Sequence, residues 1–275
     1  LTAIINRVFS AVLESAVFNY HGYLVKFAGD ALIAFYDGDR HQAWALASVL
    51  AAQREMRRVA VSLGRSLSIR VGVASGPFDL VTVSTRNGRL DSFCAGETEL
   101  RALAAADAAG PGEFVLDAPG QPRKAANSES QEINRRLLQP LPSADPIPDP
   151  LTGLTPGLVE HVIGQLRGFI APELYARIVE SPGASVPAER RNACAVFCEI
   201  DGWDGDPRQL SEHYDLACEA AARHGGSINK IDFTPGGPRL LATFGIPAAH
   251  GDDERRAVAF GLELRYALQA PLRIG

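Results

Sequence analysis

The sequence predicts a mixed α/β (α+β) fold in two related domains. Three observations lead there. Short apolar runs with strand alternation are interleaved with amphipathic helical segments. A glycine-bounded hairpin pattern occurs twice, in Gly22–Tyr36 and Gly226–Phe244. Between the copies, Leu141–Pro156 holds five of the chain's 18 prolines, which is linker chemistry.

In chain order, Ile4, Ile5, Val8, Phe9, Val12, Leu13, Ala16 and Val17 predict a helix over 3–18 with Thr2 as its N-cap. Leu24–Phe27 and Ala31–Tyr36 read as two strands around a tight Gly29-Asp30 turn. A helix follows from Asp39 to Leu63, with Ala43, Leu46, Val49, Leu50 and Met56 on its apolar side, and Gly64 stops it. Leu67–Ala74 alternates as a strand. Leu80–Thr85 and Leu90–Ala95 form a strand pair around Arg86-Asn87-Gly88-Arg89. Glu97–Ala109 is helical, and Glu113–Leu116 reads as the last strand before the chain turns polar at Gln121. Helices are expected at 158–170 and 172–180. A second unit then runs strand Ala193–Ile200, helix Gln209–His224, strands Ser227–Phe233 and Arg239–Phe244, helix Asp252–Leu268 and a final strand from Leu272. The expected organisation is a first domain over 1–135, a linker over 136–190 and a second domain over 191–275.

The 275 residues carry a net charge of −5, which gives no general attraction to nucleic acid or an acidic membrane surface. Cys94, Cys194, Cys198 and Cys218 lack metal-type pairing and read as reduced core thiols of a cytoplasmic protein. The six histidines are scattered without ligand spacing. No apolar run reaches the roughly 18 residues of a membrane helix. The chain starts at Leu1 without an initiator Met or a secretory signal, as a fragment would.

The second unit repeats the first. Gly22–Lys26 aligns with Gly226–Lys230 at an offset of 204, and Gly29–Ala34 with Gly237–Ala242 at an offset of 208. The difference, 208 − 204, is a hairpin tip four residues longer in the second copy. Two related domains on one chain are expected to form a pseudo-twofold pair around a cleft.

Asp30 can present a carboxylate at its hairpin tip. Such a carboxylate suits Mg²⁺, which takes few protein oxygens plus substrate phosphates. It is equally an ordinary turn residue. Lys26 is either a solvated strand lysine or an anion-binding one. Asp201, beside Gly202, reads as a turn residue, and Asp252-Asp253-Glu254 as a charge cap on its helix.

Lys26-Phe27-Ala28-Gly29-Asp30-Ala31-Leu32, followed by Arg70-Val71-Gly72-Val73-Ala74-Ser75-Gly76, resembles a class III nucleotide cyclase catalytic domain. Thr243-Phe244-Gly245-Ile246-Pro247 with Asp252–Ala257 resembles another. The tandem order and the longer second hairpin are similar to soluble, bicarbonate-responsive adenylyl cyclases and their bacterial relatives. The resemblance implies ferredoxin-like domains pairing head to tail. It also implies conversion of ATP to cyclic AMP and pyrophosphate with two Mg²⁺ or Mn²⁺ ions.

By that resemblance, Asp30 is the second metal Asp and the first lies on an opening strand that this chain does not contain. Gly29 and Phe27 flank the nucleotide, and Lys230 reads adenine, because a lysine donates only and suits adenine N1 better than guanine N1–H. Glu199 and Pro238 stand where a second metal pair would be, so the second domain is expected to hold no metals. Leu100 and Ala104 stand at the Asn and Arg positions of the pseudo-symmetric site. Lys26 matches the lysine of a bicarbonate-type anion site, whereas Leu103 stands where its arginine is, with Arg101 two positions away. The fragment alone is expected to be nearly inactive. The competing expectation is a degenerate module that senses a nucleotide or a small anion.

Overall fold

The computed structural model describes residues 2–118, 121–125, 143–145, 152–181, 191–246, 248–268 and 270–275. The chain is mixed α/β with several small sheets. It forms two compact units: Leu1–Asp79 with Ala95–Thr152, and Leu80–Cys94 with Gly153–Gly275. Among the described residues no helix is long and apolar enough to cross a membrane.

In unit 1, α1 (Thr2–Val12) continues through a π-helical turn (Leu13–Val17) into a 3-10 turn (Phe18–Tyr20). Strands β1 (Tyr23–Ala28) and β2 (Ala31–Phe35) form an antiparallel hairpin. Helix α2 (His41–Leu63) ends at Gly64, whose φ of +58° lets its N–H reach the Ala60 and Val61 carbonyls. Val12, Ala16 and Tyr20 pack on Ala47, Ala51 and Met56, with Leu32 and Tyr36 at the margin of this core. Burial pushes the Tyr36 hydroxyl up to about 12 while it donates to Ser48 Oγ. Strand β3 (Val71–Ala74) is shorter than the alternation over Leu67–Ala74 predicts. Leu67 and Ile69 pack against the helical core instead of entering a ladder. The next two strands, β4 (Asp79–Ser84) and β5 (Leu90–Ala95), pair with each other. After α3 (Glu97–Ala108), β6 (Phe114–Ala118) runs parallel to β3 and antiparallel to β7 (Gln121–Ala125). The strand β7 corrects the reading of Glu113–Leu116 as the last strand before polar chain. Gln-Pro-Arg-Lys-Ala has no apolar alternation, and its pairing is made by backbone groups that hydropathy does not register.

Unit 2 contains residues 80–94, the arm formed by most of the β4–β5 hairpin. Arg86 of its turn donates from its backbone and side chain to Asp215 and reaches Glu219 at 2.7 Å. Phe93 is fully buried and its ring meets Trp203, which stands edge-on to Phe233. Helices α4 (Pro156–Leu166) and α5 (Pro172–Glu180) follow. The expected helix over 158–170 ends in a separate 3-10 turn, Arg167–Phe169. Then come β8 (Cys194–Ile200), α6 (Pro207–Arg223), β9 (Gly226–Thr234), β10 (Gly237–Phe244), α7 (Asp253–Ala267) and β11 (Leu272–Ile274). The four strands form one antiparallel sheet in the order β11-β8-β10-β9. Asp206 caps α6 by accepting from the Arg208 N–H, with Pro207 at the first helical position. Leu210, Tyr214, Ala217 and Ala221 then fall on one buried face, against a core that includes Ile228, Ile231, Leu240, Ala242 and Phe244.

The internal repeat is visible in backbone detail. In β1–β2, Leu24 pairs with Ala34 and Lys26 with Ile33, so Val25 is an extra, bulged residue. In β9–β10, Ile228 pairs with Ala242 and Lys230 with Leu241, so Asn229 is bulged at the corresponding place. A Cβ on Gly22 would lie 2.6 Å from the Tyr36 ring, and one on Gly226 would lie 2.3 Å from the Phe244 ring. Each hairpin thus opens with a glycine under an aromatic ring. The four additional residues of the second copy lengthen its ladder by two pairs, Phe233 with Pro238 and Thr234 with Gly237.

The copies differ in cover. Leu240, Ala242 and Phe244 are fully buried on β10, a central strand paired on both sides by β8 and β9, whereas Leu32, Ala34 and Tyr36, on or just after an edge strand of a two-stranded sheet, are only partly buried. Leu240→Ala is therefore expected to cost about 2–5 kcal/mol, and Leu32→Ala clearly less, as read from urea unfolding of the two variants. A pH effect also follows. Burial holds His213 below its ordinary value, partly offset by Glu212. The unfolded chain takes up this proton near pH 6.5 and the folded chain only lower. The stability from this group is complete above about pH 6.5 and falls as pH drops below it. The melting temperature should decline on acidification through this range, and less steeply in His213→Gln.

Candidate functional site

In unit 1 the pairing of Ala28 with Ala31 leaves Gly29-Asp30 as a two-residue turn. Gly29 has φ +66° and Asp30 does not have positive φ, as in a type II′ turn. The turn therefore requires glycine first and leaves the second side chain, the Asp30 carboxylate, exposed at the tip. Phe27 is 43 % exposed and lies edge-on to Phe9 at 4.7 Å. Lys26 follows the bulge on β1 and is partly buried. Arg101 lies on α3, where Nη1 donates to Asp117 at 2.8 Å and Nη2 to the Ser75 carbonyl at 3.0 Å. Its guanidinium clamps α3 to β6 and to the end of β3. Leu100 and Ala104 lie on the same helix, and Leu103 is 40 % exposed.

In unit 2 the sheet places side chains of alternating charge in one cross-strand row. Arg273 pairs in register with Glu199, Glu199 with Arg239, and Arg239 with Asp232. Lys230 Nζ joins this row through Asp232 Oδ2 at 2.9 Å. The Arg273 guanidinium contacts both Glu199 and Asp201, and these acids hold it more firmly protonated than an isolated arginine, Asp201 contributing most. Thr234 donates its hydroxyl to Glu199 as well. The Arg239 guanidinium lies over the Phe197 ring, 5.3 Å from its centroid. Three cations and three carboxylates, Lys230, Arg239, Arg273, Glu199, Asp201 and Asp232, are thereby brought to one side of the sheet.

These contacts decide which residues can hold a cation. Glu199 is engaged by Arg273 and Thr234, and Pro238 has no donor side chain and is buried in the ladder. Neither fits a metal site in unit 2. Asp30 is a single exposed carboxylate, which fits a divalent ion that takes most of its ligands from water and a triphosphate. Among the described residues no group of three or more His, Cys, Asp or Glu side chains is arranged around a metal position. The four cysteines are free, and burial pushes the thiols of the buried Cys198 and the half-buried Cys218 up to about 12 and about 11, which keeps them in the thiol form.

Two features of this surface were not read from the sequence. Asp232 had a signal, since residues two apart on a strand share a face with Lys230. Arg273 had none, because only the pairing of β11 with β8 sets it opposite Glu199. No family model matches the chain, and no curated protein matches it.

The bulge determines where Lys230 points. Ile228 and Ile231 are both buried although three residues apart, which strict alternation forbids. Asn229 absorbs the extra position and turns Lys230 away from the core. Exchanging the two residues that follow the bulge, Lys230→Ile with Ile231→Lys, should put a charge on the core face and destabilise unit 2 by about 3–5 kcal/mol, the scale of an unpaired buried charge. Circular dichroism during urea unfolding measures the loss, and an unchanged midpoint would show that the bulge has no such role.

Proposed function

We propose that this chain is the core of an adenylyl cyclase that converts ATP to cyclic AMP and pyrophosphate. The strand order of unit 2, β-α-β-β-α-β with neighbours 4-1-3-2, supports reading it as a ferredoxin-like domain. The bulge and the glycine–aromatic contact shared by the two hairpins support reading unit 1 as its relative. The observation that carries the reading is the division of chemistry between the two copies of one hairpin. One copy ends in an exposed carboxylate, Asp30, and the other presents Lys230 beside Asp232.

In this reading the 3′-hydroxyl of ATP attacks the α-phosphorus, the bond to pyrophosphate breaks and its electrons leave with the pyrophosphate, and the hydroxyl proton passes to solvent water. Asp30 would hold Mg²⁺ or Mn²⁺, whose charge would stabilise phosphate oxygens when bound. Lys230 donates to adenine N1, and Asp232 keeps the ammonium oriented. Glu199, neutralised by Arg273, takes no part in metal binding. Phe27 and Gly29 would border the nucleotide. Lys26 and Arg101 are the residues for a small anionic effector, although Arg101 is already held by Asp117. The reduced thiols agree with a cytoplasmic location.

Titration of ATP and GTP against the chain with Mn²⁺ tests the reading. ATP should bind in preference, and Lys230→Ala should weaken ATP about tenfold, the scale of one charge-assisted hydrogen bond, while eroding the preference over GTP. In any longer form of the chain that releases cyclic AMP, Asp30→Asn should abolish release. Retained activity would reject the assignment. Binding without cyclic AMP release in such a form would favour a nucleotide-sensing module instead.

A further inference from the structure

The arm over residues 80–94 carries two arginines with different targets. Arg86 holds helix α6 through Asp215 and Glu219. Arg89, three residues on, reaches past the helix. Its Nε donates to the buried Tyr214 hydroxyl at 3.1 Å, and its Nη2 donates to the carbonyl oxygen of Ile228. Arg89 is itself anchored, its N–H bonding Thr85 Oγ1 and its carbonyl accepting from the Thr85 N–H.

Ile228 is the residue on one side of the bulge, and Lys230 is the residue on the other. A bulge interrupts the ladder, so the backbone there is held less well by its neighbouring strand. An external charge-assisted donor on the Ile228 carbonyl supplies part of that lost restraint. Tyr214 is fully buried and lies on the core face of α6, so it gives the guanidinium a rigid second support.

We propose that Arg89 is a positioning residue for Lys230. It pins the bulge at Ile228, and through the bulge it sets the direction in which the Lys230 ammonium is presented. The inference rests on Lys230 being the nucleotide reader for its functional consequence, and on the bulge alone for its structural one. It gives the arm a task beyond packing: a side chain from sequence position 89 tunes a binding group at position 230.

The test uses the full chain with Arg89→Ala, Arg89→Lys and, as control, Arg86→Ala. Amide hydrogen exchange at Asn229 and Lys230 should quicken about tenfold or more in Arg89→Ala. It should stay near the original rate in Arg86→Ala, which loosens the same arm from α6 but leaves the bulge. Arg89→Lys keeps the charge and has too few donors to hold both partners, so it should fall between, and it carries the test if Arg89→Ala does not fold. ATP affinity with Mn²⁺, and the ATP-to-GTP preference, should drop in Arg89→Ala and be partly restored in Arg89→Lys. The double variant Arg89→Ala/Lys230→Ala should bind ATP no more weakly than Lys230→Ala alone, since both act through one contact. Unchanged exchange at Asn229 and Lys230, or additive losses in the double variant, would overturn the proposal. If Lys230→Ala leaves ATP binding unchanged while Arg89→Ala still quickens exchange at the bulge, the nucleotide reading fails and the structural role of Arg89 stands.

Discussion

Lys230 lies on the open side of its sheet because one residue, Asn229, is surplus to the ladder. Side chains alternate along a strand, and two core isoleucines at positions 228 and 231 cannot both satisfy that alternation. The bulge resolves the conflict by adding a residue to one strand only. Its consequence reaches every polar contact nearby. Asp232 meets Lys230, Arg239 faces Asp232 and Glu199 across the sheet, and Arg273 completes the row on β11. Were all four residues from Ile228 to Ile231 paired in an unbroken ladder, Lys230 would share the face of Ile228 and point into a core that includes Leu240 and Phe244.

The same device sits in the other copy, at Val25, and there the hairpin has a different use. Its tip is two residues long and ends in an exposed aspartate, whereas the second tip is extended by two ladder pairs that bury Pro238. A shared backbone therefore carries unlike chemistry at its two ends. In one copy the Asp30 carboxylate is exposed and meets no arginine among the described residues. In the other, Pro238 stands at the place of Asp30, and the acid on the neighbouring strand, Glu199, is neutralised by Arg273 and bonded by Thr234. Arg273 and Thr234 thereby engage the Glu199 carboxylate oxygens that a metal ion would need.

The arm over residues 80–94 shows how chain order and spatial order part company. Its alternation and its Asn-Gly turn were readable, but its destination was not. Phe93 belongs to a cluster with Trp203 and Phe233, and Arg86 and Arg89 find their acceptors more than a hundred residues onward. Nothing in a local pattern states which distant acid or carbonyl a guanidinium will meet, because that depends on how the intervening elements pack.

By itself the sequence determined what local chemistry dictates. Sequence pattern marked the helices expected over Asp39–Leu63 and Gln209–His224, which the structure starts at His41 and Pro207, Gly64 marked a helix end, Gly29-Asp30 marked a tight turn, and the two offsets marked a repeat with a longer second tip. These are short-range effects, in which neighbouring residues carry their own backbone preference. Only the tertiary structure decided the pairing of the polar strand β7 with β6, the shortening of β3 where Ile69 turned to the helical core, and the seating of Arg273 opposite Glu199. Those outcomes depend on long-range backbone pairing and on competition for buried space. Neither leaves a trace in the hydropathy of a single segment.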